Sequence, residues 1–154
     1  MSLVKLSLPP RIKVLEALGA IADGRVNVID DKRCRVVSSE GNRTYEVYVD
    51  LEKGLAYSND NGTMYRSYIG YPIISFLMMK NIVPFDADIA LKLKDIKWKI
   101  LNENYKKYSL VEEHVKRLFA SRGGNVEMLE KLVAEVLRGL RNLTLYKLES
   151  PPKE

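Results

Sequence analysis

Residues 71–81, YPIISFLMMKN, are apolar almost without interruption. A helix over Pro72–Met79 has no polar face to offer water, so the rest of the chain must bury it on every side. What precedes it is β in character. RVNVID alternates, with Val26 and Val28 on one face; DDK turns the chain into RCRVVSS; EGN turns it again into RTYEVYVD, where Tyr45, Val47 and Val49 share a face; EKG leads into LAYSND. Short turns between alternating runs predict an antiparallel meander of three or four strands. Such a sheet needs a helical cover on one face.

Helices flank the meander in sequence. VKLSL (Val4–Leu8) alternates and predicts a short strand. Pro9-Pro10 then opens a helix whose Ile12, Leu15, Leu18 and Ile21 recur at helical spacing until Gly24. Beyond the apolar segment, Asp86 is the N-cap candidate of a helix through Ile89, Leu93, Ile96 and Ile100. Ser109 and Glu112 stand at capping-box spacing before a helix that ends at Gly123-Gly124. Val126, Leu129, Leu132, Val133, Val136, Leu137 and Leu140 form the stripe of a last amphipathic helix. LTLYKL predicts an edge strand beside VKLSL, and residues 151–154 a disordered tail. The expected architecture is α+β: a small antiparallel meander packed against an N-terminal helix and a C-terminal bundle of three to four helices. It forms one domain over residues 1–150, with its helical part at 84–141.

Composition narrows the function classes. With 154 residues, 46% of them hydrophobic, the chain can bury one core. No apolar run reaches the length of a membrane span, and Lys5 with Pro9-Pro10 interrupts any signal-peptide core. The single cysteine, Cys34, excludes an internal disulfide. These features predict a cytoplasmic protein without membrane attachment. The chain contains no glutamine and is rich in Lys, Arg and Glu, a composition that leans towards a thermophile. A net charge of +5 is a mild bias towards anionic partners.

The stretch Val36–Met78 resembles the SWIM zinc-finger module. Val37, Ser38, Ser39, Gly41, Tyr45 and Val47 match its first strand; GLAYS stands in place of its Cys-x-Cys strand; GYPIISFLM stands where its Cys-x-His opens an apolar helix. All four ligand positions, at Ala56 or Tyr57, Ser58 or Asn59, Gly70 and Pro72, lack a thiolate or imidazole, which a structural zinc requires. The resemblance therefore implies a zinc-free ββα unit, and an association with DNA or protein contacts. In place of the metal, an aromatic and apolar clasp of Tyr57, Met64, Tyr65, Tyr68 and Tyr71 is expected to fix sheet to helix. SNDNG then reads as a polar turn, with Gly62 at positive φ.

No catalytic, cofactor-binding or metal constellation is legible, so no cofactor is expected. His114, the only histidine, reads as a solvent-edge residue beside Val111, Val115 and Leu118, since histidine catalysis needs a nearby nucleophile or orienting carboxylate. Cys34 lies between Arg33 and Arg35; flanking cations favour a reactive thiolate, whereas strand alternation favours a small buried hydrophobe. Asp60 with Asn59 and Asn61 lacks the late acidic ligand of a calcium loop. The strongest remaining signal is basic. Lys92, Lys94, Lys97, Lys99, Lys106 and Lys107 face only Asp95 and Glu103 across Leu91–Tyr108, with Trp98, Tyr105 and Tyr108 interleaved. In a continuous helix Lys92, Lys99 and Lys106 share one face. Lysines on phosphates with aromatic stacking suit single-stranded nucleic acid, with Lys92, Lys97, Lys99, Lys106, Lys107 and Arg43 as contacts. The plainer alternative is a solvated helix face. Two functions follow. One is a non-catalytic module binding nucleic acid or another protein. The other is a homodimeric assembly protein whose seam is Leu129, Leu132, Val133, Val136 and Leu140.

Overall fold

The computed structural model describes residues 3–153 of the chain. The fold is α+β. Helix α1 (Ile12–Ala22) leads into strands β1 (Val26–Val28), β2 (Arg33–Val37), β3 (Thr44–Asp50) and β4 (Leu55–Ser58). Helices α2 (Asn61–Arg66) and α3 (Tyr71–Met79) follow, then α4 (Ala87–Leu91), α5 (Trp98–Tyr105), α6 (Tyr108–Ser121) and α7 (Val126–Arg141). Strand β5 (Tyr146–Lys147) closes the chain. Residues 151–153 carry no regular structure; Glu154 lies outside the described residues.

The sheet runs β1-β2-β3-β4-β5. The first four strands are an antiparallel meander, with Cys34 opposite both Val28 and Val47, and Val47 opposite Ser58. Tight reversals at Gly41 (φ 80°) and Gly54 (φ 65°) make the hairpins, a conformation that glycine adopts without a Cβ penalty. β5 pairs in parallel with β4.

Helix α3 packs on β1, β2 and β3 on one side and on α1 on the other, which is why its sequence has no polar face. Seven of its residues, Pro72–Met78, are buried. α1 in turn contacts α3, α4, α6 and α7. Every residue from Val14 to Ala20 is buried, Glu16 included. The molecule is thus layered: sheet, α3, α1, then the C-terminal helices.

Several expectations are corrected. Val4–Leu8 is not a strand. It makes isolated bridges, Lys5 with Tyr146 and Ser7 with Tyr68, and threads between β5 and residues 67–69. The predicted helix from Asp86 does begin there, with Ile89 N–H donating to Asp86 Oδ1 at 3.0 Å. It ends at Leu91. Asp95 turns left-handed (φ 61°), its N–H donates to Asp23 Oδ1, and the carbonyls of Lys92 and Lys94 accept from Arg122 at 2.9 and 2.7 Å. Those distant partners satisfy the backbone that a continuous helix would have paired internally. Lys106 (φ 60°) separates α5 from α6, and α6 starts at Tyr108 without the Ser109–Glu112 capping box. SNDNG is not a turn with Gly62 at positive φ. It is the start of α2, N-capped by Asp60.

Candidate functional site

A polar cleft of about 580 Å³ opens where α1, the β2–β3 hairpin, α2 and α5 meet. Its walls are aromatic: Tyr45, Tyr68, Tyr71, Trp98 and Tyr108. Tyr45 from β3 and Tyr71 from α3 meet edge to face, centroids 6.0 Å apart and planes at 83°. Tyr68 reaches the cleft because Gly62 has no side chain; a Cβ there would overlap the phenol ring. Trp98 lies on α1 because residue 19 is glycine, whose added Cβ would come within 3.2 Å of the indole Nε1.

The charged groups divide into paired and open. On α1, Lys13 donates to Glu16 Oε2 at 3.0 Å, and Asn102 Nδ2 from α5 donates to Glu16 Oε1 at 3.4 Å. Lys13 Nζ also stands 5.1 Å from the centroid of the Tyr108 ring. Burial alone would lower the Lys13 pKa, but Glu16, Tyr68 and Tyr108 outweigh it and hold the ammonium charged. Lys99 lies 3.6 Å from Glu40 at the rim. Arg43 covers the Tyr45 ring at 5.1 Å. Among the described residues neither Arg43 nor Arg66 has a carboxylate partner. The tyrosine hydroxyls are pushed away from neutrality: burial raises Tyr45 and Tyr71, and raises Tyr68 to about 12 against the opposing charge of Lys13.

One edge of the cleft is built on a buried hydrogen-bond clasp. Asp60 Oδ1 accepts from the Ser58 and Thr63 hydroxyls, Oδ2 accepts from Thr63 N–H at 3.1 Å, and Thr63 Oγ1 accepts from Gly70 N–H at 3.1 Å. One carboxylate thereby joins the end of β4, the start of α2 and the start of α3. The expected aromatic clasp is corrected in part. Tyr57 is buried, but Tyr65 is 77% exposed, and Tyr68 and Tyr71 face the cleft. The four positions matching SWIM ligand sites include Ser58 and Gly70, the two ends of this polar bridge.

The structure divides the predicted nucleic-acid contacts. Arg43 and Lys99 line the cleft. Lys92 is paired with Asp88 at 2.9 Å, Lys97 is exposed ahead of α5, and Lys106 and Lys107 occupy the link between α5 and α6. Because the helix is broken, Lys92, Lys99 and Lys106 do not share a face. The predicted dimer seam is also corrected: Leu129, Leu132, Val133, Val136 and Leu140 are 0–7% exposed and belong to the chain's own core. Cys34 is fully buried, and burial pushes its thiol up to about 12. His114 Nδ1 lies 3.1 Å from the Tyr105 hydroxyl, outside the cleft lining. Sequence reasoning missed Lys13, Glu16, Arg66 and Asn102, which no local motif links.

Among the described residues no three His, Cys, Asp or Glu side chains could hold a metal ion, and no helix is long and apolar enough to cross a membrane. No curated protein and no solved structure matches the chain. A family model does match it over residues 6–146, from the segment before α1 into β5, and the chain belongs to that family, described as uncharacterised conserved protein UCP014422.

Proposed function

We propose that this protein is a non-catalytic binding module for single-stranded nucleic acid, and that the cleft is its contact surface. The observation that carries this reading is the cleft itself: about 580 Å³ walled by tyrosines and Trp98, with Arg43 and Arg66 free of carboxylates at its edge. Aromatic faces next to open guanidinium groups are what a nucleotide strand requires, since bases stack on rings and phosphates pair with cations. The cleft volume falls within the range of pockets that enclose a small organic group. The resemblance of Val36–Met78 to a SWIM-type module points the same way. Binding is favoured over catalysis because the shifted cleft groups, Lys13 and the tyrosines, all move away from neutral pH, where a general acid or base would be poised.

Trp98 is the chain's only tryptophan, so its fluorescence reports on the cleft directly. Titration with a short single-stranded DNA at low salt is expected to change that emission with micromolar affinity. With two to three phosphate contacts, affinity should drop about tenfold between roughly 50 and 200 mM salt. No spectral change and no binding at low salt would remove the proposal.

A further inference from the structure

The floor of the cleft holds two polar atoms that find no partner within the chain. Trp98 is 4% exposed, yet its Nε1–H meets no acceptor. Asn102 Oδ1 meets no donor, although the Nδ2 of the same amide is engaged by Glu16. The two residues are four apart on α5, so they stand on one side of it, a single turn from each other. Glu16 and Lys13 are already satisfied by one another and by Asn102, so they do not compete for the open atoms. Buried donors and acceptors are seldom left unmet, because leaving them so is unfavourable. One open donor beside one open acceptor fits a ligand edge of the opposite order.

We propose, building on the nucleic-acid reading above, that Trp98 Nε1–H and Asn102 Oδ1 bind the hydrogen-bonding edge of one nucleobase turned into the cleft. Every base presents such an edge. In thymine, uracil and guanine a ring N–H donates to Asn102 while the neighbouring carbonyl accepts from Trp98. In cytosine and adenine the exocyclic amino group donates and the ring nitrogen accepts. Tyr45, Tyr68 and Tyr71 supply the ring faces for the inserted base. Arg43 and Arg66 remain for the phosphates on either side. The site therefore requires a base but tolerates any of them, and a sugar–phosphate backbone alone fills only part of it.

The test compares two fluorescein-labelled strands of equal length, one oligothymidylate and one abasic, binding to the full chain and to Trp98→Phe and Asn102→Leu. Both substitutions keep most of the side-chain volume, and circular dichroism melting checks that they fold. The base-bearing strand should bind wild type at least about tenfold more tightly than the abasic one. Each variant should lose about fivefold or more for oligothymidylate and nothing for the abasic strand. A measurement on wild type alone guards against misfolded variants: the single indole N–H proton resonance should move with oligothymidylate and stay still with the abasic strand. Equal affinity for the two strands with a stationary indole resonance would overturn base insertion while leaving nucleic-acid binding intact. Failure of both strands to bind at low salt would overturn both.

Discussion

Asp60 ties three elements together through one carboxylate, and the geometry leaves no room for alternatives. An added Cβ on Gly70 would overlap that carboxylate, so the close backbone approach is part of the clasp. Asp60→Ala removes the α2 cap and strands the Ser58 and Thr63 donors in the interior. We expect a loss of about 3 kcal/mol in denaturant unfolding, combining a cap with unmet buried groups. Gly70→Ala should weaken the same junction. The clasp was not legible in advance: Asp60 sits in a run, SNDNG, whose composition is that of an ordinary turn, and only the fold brings Gly70 against it. Cys34 was legible as one of two alternatives. Its burial, with the thiol raised to about 12, predicts no reaction of the native protein with a disulfide reagent at pH 8 and full reaction after unfolding. Rapid labelling of the folded chain would contradict that.

At the scale of elements, α3 and α7 were readable because their burial is written in their own side chains. α3 is apolar all round and lies between two layers; α7 carries one clean stripe. The broken segment Leu91–Trp98 was not readable. Its apolar spacing suits a helix, and the groups that replace helical pairing, Arg122 and Asp23, belong to distant parts of the chain. Because the α7 stripe is core, Leu129→Ala should cost about 2–5 kcal/mol of stability with no change of mass in light scattering. The outer helices are also joined by charge. Glu112 of α6 lies between Arg11 and Lys116, which both also reach Glu130 of α7. Burial would raise the Glu112 pKa, but hydrogen bonds from Lys116 and Arg11 outweigh it and hold the carboxyl below its ordinary value. A depressed carboxylate contributes stability above its unfolded pKa and loses it as pH falls through the folded one. Glu112→Gln should therefore be less stable than wild type at neutral pH, and the gap should narrow below about pH 4, read by thermal melting.

At the scale of the whole molecule, the cleft is a product of layering. Its lining runs from Lys13 to Tyr108, and it exists only because α1, the β2–β3 hairpin, α2 and α5 converge. The α+β class and the meander were visible in the sequence, since periodicity and turn residues act locally. The cleft was not, because no stretch of the chain contains more than a fragment of it. Two of the six basic residues singled out by sequence, Arg43 and Lys99, do line it. The most direct comparison is the affinity of a single-stranded DNA for two double variants, Arg43→Ala with Arg66→Ala in the cleft, and Lys106→Ala with Lys107→Ala in the α5–α6 link. The cleft pair should lower affinity about tenfold and flatten the salt dependence by about 1.4 in log–log slope, with the lysine pair within about twofold of wild type. A large loss from the lysine pair with the cleft pair silent would contradict the account.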